Sequence, residues 1–296
     1  MAQYKITCCS TCDLSAGHLN SLGVPFAKYH YIIDGVDYLD DLYSTSTPEE
    51  FYGKIDAGAM PTTSQVTPAE LIALWKPILD GGEDILHIEF SSGLSGGYTS
   101  AKLAKAEIEK DYKDRKIILV DSLAASSGYG LLVDKAVELK NGGMGMDELA
   151  AWLENNKLRL RHWFFSTNLQ HFKRGGRISA TAAAFGSMLN ICPVMDVNSE
   201  GKLIVRKKAL GKKKAIRELF NIMCEQAQGG QDYSGKCYIS HSRVLPDAQA
   251  LASLIEGNFP SLCGKVEINN IGTVIGSHTG PGCVALFYFS SDKRTI

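Results

Sequence analysis

Four short runs of small, polar and glycine residues are the parts of this chain that could do chemistry. They are Pro61-Thr62-Thr63-Ser64-Gln65, Ser91-Ser92-Gly93-Leu94-Ser95-Gly96-Gly97, Arg174-Gly175-Gly176-Arg177 and Gly276-Ser277-His278-Thr279-Gly280-Pro281-Gly282. Any one of them is explained by a turn, since glycine, serine and proline dominate turns. Four in one chain, each at a strand end or loop where α/β proteins keep their ligands, point to a site.

The second run follows an apolar strand and precedes a helix starting near Tyr98. It therefore gathers unpaired N–H groups and hydroxyls at a helix N-terminus, a setting that favours an anion. Gly93, Gly96 and Gly97 let backbone approach a ligand closely. Gly93-Leu94-Ser95-Gly96-Gly97 also matches the G-x-S-x-G nucleophile elbow, and with His278 it makes a serine hydrolase a competing reading. That reading needs a triad acid such as Asp196 or Glu267, neither marked out by its neighbours, and shows no HGGG-type oxyanion motif. It also leaves Thr62-Thr63-Ser64 unused. These hydroxyls precede a helix starting at Pro68 that Thr67 can cap, and they suit a reversible carboxylate site better than a catalytic one. His278, in what reads as a glycine-rich turn, is a donor candidate for the same ligand, ranked above Arg177.

Cys9-Ser10-Thr11-Cys12 has redox C-x-x-C spacing, but lacks the accompanying aromatic and proline, and no second C-x-x-C completes a zinc site. Coincidence is the better reading. Five of the eight cysteines, Cys192, Cys224, Cys237, Cys263 and Cys283, lie far apart in sequence and read as core residues. The net charge is −1, which argues against a general nucleic-acid binder, yet it is unevenly spread. Residues 155–217 hold fourteen Lys/Arg against Asp196 and Glu200, so this stretch carries +12 and the remainder −13. The run Lys202, Arg206, Lys207, Lys208, Lys212, Lys213, Lys214 and Arg217 has no interleaved aromatics for base stacking. Together with Arg174 and Arg177 it could dock an acidic partner or steer an anionic ligand. With 296 residues, 45% hydrophobic, no apolar run long enough to span a membrane and no basic-then-apolar start, the expectation is a cytoplasmic protein with reduced thiols.

Residues 1–160 alternate strand and helix patterns, which predicts an α/β domain with a mostly parallel sheet flanked by helices. Strands are expected at 4–8, 85–90 and 117–120, and helices at 68–79, 98–110, 128–140 and 147–156. A small β insertion is expected at about 24–55. From residue 161 the rhythm changes to an α+β domain with a mixed or antiparallel sheet. Strands are expected there at 163–166, 194–197, 203–210, 238–241, 265–271 and 283–289, and helices at 180–189, 213–228 and 246–257.

Taken together, Thr-Ser-Gln in 61–65, Ser-Ser-Gly-Leu-Ser-Gly at 91–96, Asp121-Ser122, Gly-Gly-Arg-Ile at 175–178 and Gly-Ser-His-Thr-Gly-Pro-Gly at 276–282 resemble the DegV family of bacterial fatty-acid-binding proteins. The resemblance runs in order along nearly the whole chain. It implies a non-catalytic carrier that holds one long-chain fatty acid in a tunnel between two domains, with no other cofactor. Thr63, Ser95 and His278 would hold the carboxylate, with Thr62, Gly96 and Arg177 beside them. Some members present the acid to a fatty-acid kinase that makes the acyl phosphate used in phospholipid synthesis. One departure stands out: the family's usual Asp-Ser-Thr after the first strand is Cys9-Ser10-Thr11 here. Burying about fourteen methylenes at roughly 0.8 kcal/mol each gives on the order of 11 kcal/mol before binding costs, so affinity would come from the tunnel.

Overall fold

The structure is a computed structural model that describes residues 3–178 and 190–296. In chain order the first half runs β1 (Tyr4–Cys9), α1 (Ala16–Ser21), β2 (Phe26–Ala27), β3 (His30–Ile33), β4 (Val36–Leu39), α2 (Pro48–Asp56), β5 (Thr62–Ser64), α3 (Pro68–Asp80), β6 (Asp84–Glu89), α4 (Gly97–Ile108), β7 (Ile117–Asp121), α5 (Ser126–Asn141) and α6 (Met146–Asn156). It continues with β8 (Leu160–Ser166), α7 (Gln170–Arg174), β9 (Ile191–Val197), β10 (Leu203–Leu210), α8 (Lys212–Gln226), β11 (Cys237–His241), α9 (Leu245–Glu256), β12 (Val266–Asn270), α10 (Thr273–Thr279) and β13 (Cys283–Phe289).

The mixed α/β class holds. A parallel sheet in the order β2-β1-β6-β7 is built from helix crossovers, and a second sheet follows the order β10-β9-β8-β13-β11-β12. Its pairs are antiparallel except β11 with β12, which the crossover helix α9 joins in parallel. The β9–β10 hairpin forms over the expected residues, with a register shift between Val205 and Lys207. The helix expected at 180–189 lies outside the described residues.

The β insertion differs from expectation at both ends. Phe26–Ala27 pairs in parallel with Cys8 and Cys9 and so joins the main sheet, whereas β3 and β4 recruit Thr62–Ser64 into a separate antiparallel sheet β4-β3-β5. That sheet and α2 share a small core of Tyr31, Ile33, Phe51, Tyr52 and Ile55. Helix α2 starts at a complete capping box between Thr47 and Glu50 with Pro48 in the first turn, as α3 does between Thr67 and Glu70 with Pro68.

Helix α5 sits between the two large sheets, packing on β1 from one and on β8, β11 and β13 from the other. Its Ser-Ser-Gly-Tyr-Gly start makes this possible. A Cβ on Gly128 would fall 2.5 Å from His162 Nε2 and 2.6 Å from the Phe287 ring, so glycine sets the spacing of helix and sheet. The second sheet is apolar on both faces. On β8 and β13, Trp163, Phe165, Val284, Leu286 and Tyr288 join α8 and α9 in a core of their own. Strand alternation turns His162, Phe164, Cys283, Ala285 and Phe287 the other way, towards the first half of the chain.

Candidate functional site

Between those two surfaces lies a cavity of about 360 Å³. The second sheet contributes Phe164, Ala285 and Phe287 as apolar wall, and α10 contributes Val274 and Ile275. From the first half of the chain come Tyr29, Thr63, Gln65, Phe90, Ser95 and Gly96. All four runs singled out in sequence thus supply lining residues, the Arg-Gly-Gly-Arg turn through Arg177.

Contacts knit these runs together. Thr63 Oγ1 and His278 Nε2 are 2.8 Å apart, joining β5 to α10. Gln65 packs so tightly on Gly96 that a Cβ there would fall 2.3 Å from its Oε1, and Gln65 Nε2 donates to Ser100 Oγ at 2.9 Å. Arg177 donates from Nε and Nη2 to the Leu94 carbonyl at 3.1 and 2.9 Å, fastening the Gly-Gly-Arg turn to the Ser95 loop. Arg174 reaches the carbonyls of Pro61 and Ser277. Burial, and then the charges of Arg177 and Arg174, lower the His278 pKa to about 4, so its imidazole is neutral at pH 7. Its Nδ1 is buried and has no hydrogen-bond partner among the described residues. Burial also lowers the Arg177 pKa.

Ser95 Oγ accepts the Gly97 N–H at 3.2 Å and lies 3.4 Å from the Tyr29 hydroxyl. Tyr29 in turn donates to Glu89 Oε1 at 3.1 Å, and Gly97 leaves room for this pair, because a Cβ there would meet the Tyr29 oxygen. Glu89 also accepts from the Phe90 N–H and the Cys9 thiol. Tyr29 and Glu89 were not marked by motif. The available signal was a glutamate at the end of an otherwise largely apolar parallel strand, one residue before Ser-Ser-Gly. Burial first, then the Glu89 charge, raises the Cys9 and Tyr29 pKa values, which favours the thiol and the phenol as hydrogen-bond donors to Glu89.

Some expected placements differ. Thr62–Ser64 is a strand rather than a helix-capping loop, and Thr62 is exposed and does not line the cavity. His278 sits in the last turn of α10 rather than in a turn, because the segment Thr273–Thr279 forms about two helical turns before Gly280 breaks it with φ +65°. The hydrolase triad is not assembled. Asp196 pairs with Arg206 at 3.0 Å, Glu267 lies 3.8 Å from His18, and His278 Nε2 faces Thr63 rather than Ser95. Cys9 and Cys12 are buried free thiols. The basic run falls on β10 and the start of α8, where Lys202, Arg206, Lys207 and Lys212 pair with Glu200, Asp196, Glu218 and Asp247. Among the described residues, no helix is long and apolar enough to cross a membrane.

Comparison with known proteins agrees with this architecture. A DegV domain-containing protein of Clostridium perfringens is 38% identical over 294 residues, 99% of this chain and 100% of that one. A DegV family protein from Thermus thermophilus, described for its fatty acid binding, superposes with a TM-score of 0.85 at 30% identity, covering 98% of this chain and 100% of that one. A Streptococcus pneumoniae fatty acid kinase B3 protein loaded with linoleic acid shares the fold, with a TM-score of 0.83 at 20% identity over 98% of this chain and 100% of that one. The family model described as "Uncharacterised protein, DegV family" matches residues 3–291, and with these relatives it shows that the chain belongs to the DegV family.

Proposed function

We propose that this protein binds one long-chain fatty acid, with the acyl chain in the cavity between an α/β half (residues 1–160) and an α+β half (residues 161–296). The carboxylate is held by Thr63, Ser95 and His278. The observation that carries the reading is a cavity walled by Phe164, Ala285, Phe287 and Val274 whose lining also includes the hydroxyl residues Thr63 and Ser95 and the neutral imidazole of His278. Such a lining takes an apolar ligand with one polar group, and the apolar contacts supply most of the affinity. Neutral donors satisfy a carboxylate without burying a full countercharge, which suits a ligand that must be released again. Gly96 and Arg177 shape the same region, Arg177 by holding the Leu94 carbonyl beside Ser95. The relative from Thermus thermophilus is described as binding fatty acid, which supports the same reading.

The protein presents this acid to a fatty-acid kinase for acyl-phosphate formation. The resemblance and the fold shared with a fatty acid kinase B3 protein support this step. Displacement of a fluorescent fatty acid tests the head-group assignment: palmitate should compete far better than its methyl ester, and Thr63→Val with Ser95→Ala should narrow that gap at least tenfold. An ester that competes equally with the wild-type protein would refute a carboxylate site at these residues.

A further inference from the structure

We propose that Cys9, His87 and Glu89 form a metal site that takes Zn²⁺. Cys9 ends β1 and lies beside β6, on which His87 and Glu89 are two residues apart and so project from the same face. One donor atom from each converges, all within 4.8 Å of one another, and all three residues are completely buried. His87 Nε2 is 2.9 Å from Glu89 Oε2, Cys9 Sγ is 3.3 and 3.4 Å from the two Glu89 oxygens, and Cys9 Sγ is 4.0 Å from His87 Nε2. Tetrahedral zinc bonds to sulfur, nitrogen and oxygen place such donors about 3.4–3.6 Å apart. Each separation here is within about half an ångström of that range, so a cation fits with small side-chain shifts.

The surroundings orient the donors as a metal site requires. Thr7 Oγ1 lies 2.9 Å from His87 Nδ1, which fixes the ring and can leave Nε2 as the ligating nitrogen. The Tyr29 hydroxyl and the Phe90 N–H hold Glu89 from outside the cluster, and Trp75 packs edge-on against His87 with ring centroids 5.2 Å apart. Charge balances too, because a thiolate and a carboxylate cancel Zn²⁺ where an unbalanced ion would be costly. A sulfur, an imidazole and one carboxylate select zinc over magnesium or calcium. Complete burial means that loading accompanies folding. Because Glu89 also holds Tyr29, and Tyr29 faces Ser95, the ion would stiffen the Ser95 side of the cavity.

The competing occupant of the same space is a pair of protons, with the Cys9 thiol and His87 Nε2 both donating to Glu89. Elemental analysis separates the two. The full chain, expressed in zinc-supplemented medium and washed with chelator, should carry one zinc per chain. Refolding with Co²⁺ should give a thiolate-to-cobalt charge-transfer band and intense tetrahedral d–d bands. Cys9→Ser should abolish the cobalt band, and Glu89→Gln should weaken zinc retention, in protein whose fold is checked by circular dichroism. Cys263→Ser, at an exposed thiol, should change nothing. Wild-type protein that retains substoichiometric zinc and develops no cobalt band would overturn the proposal, whether or not the variants fold. So would full zinc retention by folded Cys9→Ser.

Discussion

His278 carries the most specific consequence at the scale of single residues. Its folded pKa, at about 4, lies below the ordinary 6.5, so the unfolded chain takes up a proton below pH 6.5 that the folded chain does not. This histidine's contribution is therefore fully present above pH 6.5 and is lost as pH falls towards 4, by on the order of 2–3 kcal/mol at most. Chemical denaturation across that window should show a shallower loss in His278→Gln than in the wild-type protein. A bound carboxylate beside the imidazole should raise the same pKa, visible as a shift of the His278 ring titration by NMR when palmitate, but not a fatty alcohol, is added. Ser95→Ala removes a hydroxyl and should weaken fatty-acid binding about tenfold, read by calorimetry, without moving the melting temperature by more than a few degrees. Of the cavity-lining residues, Ser95, Thr63 and His278 were legible because four small polar or glycine-containing runs occur together in one chain and in the order of a family pattern. Tyr29 was not, because a tyrosine between Lys28 and His30 belongs to no motif, and only its hydrogen bond to Glu89 gives it a role.

The strand β13 makes a sharper test at the scale of elements, because its neighbouring residues belong to different jobs. Leu286 is buried under α8 and α9, so Leu286→Ala should cost about 2–5 kcal/mol of stability and leave ligand affinity nearly unchanged in the folded fraction. Ala285 faces the cavity, so Ala285→Phe should cut affinity for long acyl chains more than for short ones at little cost in stability. The same alternation explains what the sequence made legible. Long apolar strands and the helices between them came within a few residues of their observed bounds, as for the strand found at Asp84–Glu89 and the helix found at Pro68–Asp80. Short elements were hidden. Thr62–Ser64 has only three residues and pairs with a strand far back in sequence, and the helix carrying His278 is built from Gly, Ser and Thr, whose propensities favour turns. Helix α2 was also missed, since residues 48–56 fell within the expected β insertion, although its Thr-Pro-Glu-Glu start forms a capping box with proline in the first turn.

For the molecule as a whole, the proposal is that two differently built halves close on one apolar ligand. The near-neutral net charge conceals a basic stretch, much of which is paired with acids on β9, α8 and α9 or in the β9–β10 turn. If that face docks a kinase, Lys207→Glu with Lys208→Glu should lower kinase-dependent acyl phosphate formation at least tenfold while fatty-acid affinity stays within twofold. Unchanged phosphorylation would move the docking site elsewhere. The most direct measurement is native mass spectrometry of the purified protein, with organic extraction and mass analysis of what is released. One long-chain fatty acid per chain is expected, lost when the protein is delipidated and regained on adding palmitate. Protein that is empty as purified and takes up no added fatty acid would contradict the proposal.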